Sequence, residues 1–233
     1  MAEQFVVTCS RGMEDLLVGE LRRIGLQRVH EEIGSVRFSG KIKDGLRACL
    51  WSRVGSRVLL RVGRFQGATA DDLYEGIKAI EWERFIRPTD SLWVTFTGSS
   101  KILRHSQFSA RQTKDGIVDR FRERVGERPS VDKELGHQVH VLLRHNVFTV
   151  SLDLCGPPLH LRTPNRHITE APLKENLAAA LLLHAGWHKA LKRGTTFADP
   201  LCGSGTIALE ALGMACNKAA NIDRQDWAFT RWI

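Results

Sequence analysis

Residues 197–210 read FADPLCGSGTIALE: an apolar segment, a turn of small residues and a helix-forming segment. Residues 195–198 predict a buried strand that ends at Asp199. Gly203 and Gly205 allow the backbone to approach a ligand closely and to adopt dihedral angles that other residues reach only with strain. A helix beginning near Gly205 presents N–H groups that favour an anionic or polar ligand group. This string predicts a strand–turn–helix loop suited to a cofactor with a carboxylate and a ribose.

Two common classes of glycine loop do not match. The string lacks the Lys and Ser/Thr of G-x-x-x-x-G-K-[ST], which excludes a P-loop. It also lacks the third glycine of the dinucleotide fingerprint, which disfavours an NAD enzyme. A Gly-x-Gly turn alone is weak evidence of a site, because such turns also occur for packing reasons.

The segment before residue 66 predicts a small ferredoxin-like module. Residues 5–8, 28–33, 35–39 and 57–62 have strand patterns, and apolar residues at helical spacing fall between them. The resulting order, β-α-β-β-α-β, is that of the ferredoxin-like fold.

A second αβ region follows. Ser106 is predicted to cap a long helix that ends near Val125, with an apolar stripe through Ile117, Val118, Phe121 and Val125. Residues 138–143 and 147–154 predict a hairpin around His145-Asn146. The aromatic residues of this region, Trp93, Phe96 and Phe148, are expected in the core rather than as base-stacking platforms.

The charge of the chain favours a polyanionic partner. The net charge is +8 and the pI is about 9.6, and residues 1–165 contain 26 Lys/Arg against 20 Asp/Glu. Clustered cations release counterions from a phosphate backbone when they bind it. Residues 101–128 carry eight basic and four acidic residues. We therefore consider Arg104, Arg111 and Lys114 as an RNA-binding surface; the alternative is a solvated helix face with ion pairs such as Asp115–Arg122.

Other function classes receive little support. Five dispersed cysteines and nine scattered histidines, including His140, His145, His160 and His167, give no disulfide framework and no metal-ligand spacing, so we expect no metal. No run of 18 apolar residues occurs, and Arg11, Glu14 and Asp15 lie where a signal peptide needs its apolar core. We expect a cytoplasmic protein with no membrane partner.

The sequence resembles a known family. Residues 199–211 match the D-P-x-C-G-S-G-T-x-x-x-E-A signature of THUMP-domain methyltransferases that make N2-methylguanine in RNA, and residues 171–180 resemble the helix before it. The resemblance is closest to bacterial enzymes that act on large-subunit ribosomal RNA. It extends through residues 11–14, 51–53 and 153–154 to Trp227 and Trp232, and so covers essentially the whole chain.

The resemblance implies an α+β fold in three parts: a ferredoxin-like module at residues 1–65, a THUMP RNA-binding domain at 66–160 whose first elements could overlap 44–65, and the start of a Rossmann-like methyltransferase domain at 166–233. It implies S-adenosylmethionine as cofactor, with residues 174–176 as further pocket candidates. The implied cofactor-binding residues are Asp199, Pro200, Cys202, Gly203, Ser204, Gly205 and Thr206.

No residue is assigned a catalytic role. The family positions its target base with an N/D-P-P-Y/F motif downstream of the glycine loop, and none follows Thr206. Pro157-Pro158 is interpreted as an inter-domain turn, Asp223 and Asp226 as surface residues, and Cys202 as a residue with a packing and backbone-shape role. We expect the N-terminal portion of an enzyme, inactive alone.

Three functions remain open. The first is guanine-N2 methylation of 23S ribosomal RNA, the second is the same reaction on transfer RNA, and the third is RNA binding by a THUMP module with a methyltransferase remnant. The sequence specifies no oligomeric state.

Overall fold

A computed structural model of the chain describes residues 2–162 and 173–232. It divides into two compact units, the first formed by Met1–Leu59 and Pro157–Trp227, the second by Leu60–Gly156 and Ala228–Ile233. None of the helices it describes is both long and apolar enough to cross a bilayer. His167, Pro172 and the first residues of the helix expected at 171–180 lie outside the described residues.

The N-terminal part of the first unit has the expected β-α-β-β-α-β order. Its strands are neighbours in the order β2-β3-β1-β4, and both β1–β3 and β2–β3 are antiparallel. The elements are β1 (Glu3–Thr8), α1 (Glu14–Arg23), β2 (His30–Glu32), β3 (Ser35–Gly40), α2 (Ile42–Trp51) and β4 (Arg57–Gln66), which continues into the second unit. The ferredoxin-like prediction is confirmed.

Alternation along β1 and β3 decides which face of this sheet is buried. Phe5 and Val7 pair in register with Phe38 and Val36, and all four are fully buried. The Phe5 and Phe38 rings stack with centroids 5.0 Å apart. The period of two in the sequence therefore becomes one apolar face.

Among its described residues, the C-terminal part of the first unit contains three helices, α5 (Glu175–His184), α6 (Trp187–Leu191) and α7 (Thr206–Ala215). They pack around Leu182, Trp187 and Ala211, and the Trp187 indole Nε1–H donates to the Ala211 carbonyl at 3.0 Å. The strand expected at residues 195–198 is wrong: these residues are irregular, and Thr195, Thr196 and Ala198 are exposed. A strand requires a neighbour, and the described residues after Asp153 contain no other strand with which it could pair.

The second unit is a mixed sheet with helices. Its strands are neighbours in the order β4-β8-β7-β5-β6; β7 and β8 are antiparallel, whereas β5 is parallel to β6 and β7. Its further elements are α3 (Ala70–Lys78), β5 (Ser91–Thr97), α4 (Ser106–Val125), β6 (Ser130–Val131), β7 (His137–Arg144) and β8 (Val147–Asp153).

The hairpin and the core of this unit follow the sequence closely. His145 and Asn146 both have positive φ, 50° and 55°, as the tight turn between β7 and β8 requires. Phe96 and Phe148 are buried, as expected, whereas Trp93 is only partly buried.

The helix α4 ends at Val125, as predicted, but its cap and the burial of its last residue differ from the prediction. Ser106 is the first helical residue, not the cap; His105 precedes it and makes no side-chain capping bond. Val125 is exposed, whereas Ile117, Val118 and Phe121 are buried, because Gly126 caps the helix and its last turn leaves the core.

Candidate functional site

The loop at residues 199–205 has the backbone conformation that its glycines predict. Gly203 and Gly205 have φ of 53° and 76°, in the left-handed region, and no atom of the described residues lies within 4 Å of the Cβ that either would carry. The Gly205 N–H donates to the Cys202 carbonyl at 2.7 Å, which closes the turn. Thr206 then begins α7, and the first helical bond returns from Leu209 N–H to the Gly205 carbonyl at 2.8 Å. The loop is open where a ligand would approach the helix N-terminus.

Asp199 offers a carboxylate oxygen to this site. Its Oδ1 accepts the Leu201 N–H at 3.2 Å, whereas its Oδ2 is buried and has no hydrogen-bond partner among the described residues. A buried oxygen without a partner is costly unless a ligand or water satisfies it. The ammonium of an amino-acid ligand would satisfy Oδ2, and the N–H groups at the α7 N-terminus favour the carboxylate of the same ligand.

The remaining predicted cofactor residues are mostly exposed. Pro200, Cys202 and Gly203 are exposed, Ser204 and Gly205 are half-buried, and Thr206 is buried. Ser204 Oγ lies 3.4 Å from Thr206 Oγ1, so the two hydroxyls flank the start of α7. Cys202 is exposed and contacts only the neighbouring Gly203 carbonyl by its Sγ, at 3.8 Å. The packing role expected of Cys202 is therefore wrong, because its side chain is exposed.

A buried carboxylate fixes α7 to the N-terminal part of the first unit. Glu210 lies one turn into α7; its Oε2 accepts from Arg53 Nη1 and its Oε1 from Arg162 Nε, each at 2.9 Å. Arg162 also donates to the Arg53 carbonyl at 3.0 Å. Two arginines from distant segments thus hold the helix that follows the loop.

This network continues to a second buried carboxylate, Glu20 of α1. Glu20 accepts from Ser52 Oγ at 2.7 Å and from the N–H groups of Arg53 and Val54 at 2.8 and 3.3 Å. Burial raises the pKa of Glu20 above its usual value, against the opposing effect of these hydrogen bonds and of Arg162. Glu20 and Glu210 therefore hold residues 52–54 from two sides.

The residues around position 175 contact the same segment. The Asn176 amide nitrogen donates to Ser56 Oγ at 3.1 Å, and Asn176 is buried. This contact to the end of the N-terminal part was not predicted from the sequence.

Upstream, the predicted RNA-binding residues lie at and before the N-terminal half of α4. Arg104 and Arg111 are exposed, and Arg104 Nε donates to the Lys101 carbonyl at 3.0 Å. Lys114 is half-buried and pairs with Asp115. The ion pair expected between Asp115 and Arg122 is wrong: Arg122 pairs with Asp119 at 3.0 Å, because residues three apart meet on one helix face.

Two of the three acidic residues of α4 contact side chains of α3, whereas Asp115 pairs with Lys114. Asp119 accepts from the Tyr74 hydroxyl at 3.0 Å and Glu123 from Lys78 at 2.6 Å, both on α3. Residues 101–114 contain four Lys/Arg and no acidic residue. Phe108, which the sequence analysis did not single out, is 49 % exposed on this same half of the helix. Only the structure shows that the Phe108 ring is exposed and so could contact a ligand.

Asp223 and Asp226 are exposed, and Asp223 pairs with Lys218 at 2.6 Å. Within the described ranges, no group of three His, Cys, Asp or Glu side chains could hold a metal ion.

Three family models together match most of the chain. The model described as RlmL ferredoxin-like domain matches residues 4–59, that of the THUMP domain matches 67–153, and that of the RMKL-like methyltransferase domain matches 163–232. The chain carries an RlmL ferredoxin-like domain, a THUMP domain and RMKL-like methyltransferase-domain sequence. The α+β prediction is confirmed, and its ferredoxin-like, THUMP and methyltransferase-fold parts are each matched.

Relatives of the chain are described as methyltransferases or methylases, with different substrates in their names. "Ribosomal RNA large subunit methyltransferase K/L" of Ectopseudomonas mendocina is 43 % identical over 231 residues, 99 % of this chain and 32 % of the relative. The solved structure of SMU.472, a methyltransferase complexed with SAH, is 31 % identical with a TM-score of 0.86 and covers 99 % of this chain and 60 % of that one. A structure from Listeria monocytogenes, described as a predicted N6-adenine-specific DNA methylase, is 30 % identical with a TM-score of 0.85 and covers 100 % and 60 %. The chain spans about a third of the length of the curated relatives it matches.

Proposed function

We propose that this chain supplies the RNA-binding modules and the beginning of the cofactor cleft of an S-adenosylmethionine-dependent methyltransferase, acting on guanine N2 of 23S ribosomal RNA in the cytoplasm. The observation that carries the proposal is the loop at residues 199–205, with two left-handed glycines and a buried Asp199 oxygen that lacks a partner. The methyltransferase-domain match and the names of the curated relatives support the ribosomal substrate. The choice of guanine N2 as the methylated atom rests on the resemblance of residues 199–211 to the family signature.

Each part of the loop has a proposed role toward the cofactor. Asp199 holds the ammonium of its methionine part, and the N-terminus of α7 at Thr206 attracts its carboxylate. Gly203 and Gly205 let the backbone approach it, and Pro200, Cys202 and Ser204 complete the loop surface. When bound, the cofactor supplies an electrophilic methyl group on its sulfonium. The chain's own residues bind and orient it.

Base positioning is assigned to no residue of this chain. An exocyclic guanine nitrogen must be held in line with the methyl group in a pocket that stacks the base. No Asn/Asp-Pro-Pro-aromatic motif follows Thr206 in these 233 residues. We therefore propose that the chain alone binds its ligands but does not transfer the methyl group.

RNA binding is proposed at the α4 basic surface, which we define as Arg104, Arg111 and Lys114 together with Phe108. The cations would contact phosphates, and the exposed ring would stack on an unpaired base. The absence of acidic residues from 101 to 114 supports this role, because no carboxylate in that stretch repels a phosphate.

Titration calorimetry tests the cofactor part. The 233-residue chain should give heat with S-adenosylmethionine, and Asp199→Asn should weaken binding by about 10-fold, the value of one charge-assisted hydrogen bond. Glu134→Gln, an exposed acidic residue of the second unit, is the matched control. No heat with the parent chain would instead favour the RNA-binding module with a methyltransferase remnant.

Competition between RNA ligands separates the two substrates. A 23S ribosomal RNA transcript should displace a labelled single-stranded probe at lower concentration than a transfer RNA transcript at the same salt concentration. The reverse order would support the transfer RNA alternative.

A further inference from the structure

The first unit contains a cavity that the proposed cofactor loop does not use. Its volume is about 790 Å³, and its walls come from α1, α2, α6 and α7 with the segments beside them. That volume lies in the range of small-molecule and cofactor sites. The residues at 199–205 are not among those that line it.

The lining of this cavity is strongly basic. It contains one carboxylate, Glu20, which already accepts three hydrogen bonds from residues 52–54. Its five Lys and Arg side chains come from four separate segments, and they are Arg23, Arg47, Arg53, Lys192 and Lys218. Such an excess of cations favours an anionic occupant and disfavours a metal ion.

Two of the five cations are available to a ligand. Arg53, Arg47 and Lys218 pair with Glu210, Asp44 and Asp223 respectively. Arg23 and Lys192 are exposed, and among the described residues neither has a carboxylate within ion-pair distance. Arg23 donates only to the Gly19 carbonyl of its own helix, at 3.2 Å. Their unneutralised charge sits on α1 and just after α6.

His188 of α6 lines the same cavity, and burial together with these cations lowers its pKa. Its Nδ1 is buried and lacks a hydrogen-bond partner in the described parts of the chain. Burial lowers the pKa of His188, and the nearby charges of Arg23, Lys189 and Lys192 lower it further. The positive charges of Arg23 and Lys192, from two different elements, therefore both favour the neutral form of His188. A neutral imidazole can still donate its one ring N–H to a phosphate oxygen.

The remaining wall is apolar and partly aromatic. Trp51, Ile24, Leu191 and Met214 line it, and Trp51 is half-buried. An indole beside unpaired cations suits a ligand that joins a phosphate to a flat ring, because bases stack on aromatic side chains. An acidic peptide would satisfy the cations but would leave the indole without a ring to stack on.

We infer that this cavity binds a nucleotide of the RNA substrate, with its phosphate at Arg23 and Lys192 and its base against Trp51. The inference rests on the proposed RNA-binding function and extends it to a second contact, in a different unit from the α4 basic surface. The ligand chemistry, a nucleoside phosphate, is shared by RNA and by free mononucleotides.

Matched charge variants test the inference. Arg23→Ser with Lys192→Ser removes the two available cations, and Arg11→Ser with Lys43→Ser removes the same net charge from exposed positions that do not line the cavity. The first variant should lower the slope of log affinity against log salt concentration for single-stranded RNA by about 0.7, the value for the one phosphate contact that both cations share. The control should leave the slope unchanged. Equal slopes in the two variants would overturn the inference.

Fluorescence identifies the ligand. RNA should change the tryptophan emission of the parent chain, and Trp51→Phe should remove that change. GMP at about 1 mM, a concentration that detects weak binding, should reproduce only part of it and inorganic phosphate none. Full reproduction by GMP or phosphate, or by a tetraglutamate peptide, would overturn RNA as the occupant.

RNA binding by the parent chain and by its variants distinguishes a failure of the proposed function from a failure of the cavity inference. If the parent chain binds no RNA at all, the proposed function is wrong. If it binds RNA and loses that binding only when the α4 basic surface is changed, the proposed function stands and the cavity inference falls.

Discussion

The Arg53 guanidinium lies 2.9 Å from the Glu210 carboxylate, across 157 positions of sequence. Both side chains are largely buried, and Arg162 holds the other Glu210 oxygen at the same distance. The helix that begins at the glycine loop is thereby tied to the strand-and-helix module at the other end of the chain.

Loss of Glu210 should destabilise the first unit more than loss of Arg53. Glu210→Gln leaves two buried guanidiniums facing each other, and removing one partner of a buried ion pair costs about 3–5 kcal/mol. Arg53→Met leaves Glu210 its bond to Arg162, so its cost should be smaller. Urea denaturation gives both free energies of unfolding.

The exposed Arg37–Glu32 pair provides the control, at the same N–O distance of 2.9 Å. Glu32→Gln should cost less than about 1 kcal/mol, as expected for exposed pairs. Equal losses in the free energy of unfolding for Glu32→Gln and Glu210→Gln would contradict the expectation that burial makes the Glu210 ion pairs costlier to break.

Gly205→Ala should weaken cofactor binding as well as stability. The left-handed conformation costs a non-glycine residue about 1–2 kcal/mol. Gly126→Ala, at the end of α4, introduces the same strain, since both glycines have positive φ and open space at the Cβ position. Calorimetry with S-adenosylmethionine should detect a loss for Gly205→Ala only. A similar loss in both variants would show that the effect is general strain.

The stability of the first unit should fall as pH rises, through Glu20. Its pKa is higher in the folded protein than in the unfolded chain because of burial. The folded state therefore keeps a proton that the unfolded state releases, so this stabilisation is complete below pH 4.5, the ordinary pKa, and is lost as pH rises through the folded value. Glu20→Gln should flatten the dependence in urea melts between pH 4 and pH 8; an unchanged slope would assign it to other groups.

The combined change Arg104→Ala, Arg111→Ala and Lys114→Ala should reduce the salt dependence of RNA binding. Three lost phosphate contacts lower the log–log slope by about 2.1 for single-stranded RNA. Filter binding across a salt series measures it. The control is the triple alanine variant at Arg84, Arg128 and Lys133, which are exposed cations of the same unit outside 101–114. Equal losses would indicate a response to net charge alone.

Phe108→Ala should weaken RNA binding without changing the salt slope. Stacking of a base on an aromatic ring contributes about 1–3 kcal/mol and releases no counterions. Leu135→Ala, another exposed apolar residue of the second unit, should have no effect. A changed slope in Phe108→Ala would mean that the ring positions the cations instead.

The sequence determined the local features of this protein. Period-two alternation defined β1, β3, β7 and β8, and the His145-Asn146 turn and the glycines at 203 and 205 have the backbone angles that their residue types favour. These features depend on neighbours a few residues away, so they are visible in a one-dimensional pattern. The 199–211 signature carried the family resemblance, because so many of its positions match at fixed spacing.

Tertiary structure decided what depends on distant partners. Residues 195–198 have a strand pattern but no neighbouring strand among the described residues, and backbone hydrogen bonds between strands cannot be read from one segment alone. The Arg53–Glu210–Arg162 contacts and the basic cavity join segments that the sequence keeps far apart. The sequence shows how many cations a segment has. Only the fold decides which cations pair with a carboxylate and which, like Arg23 and Lys192, have no carboxylate within ion-pair distance among the described residues.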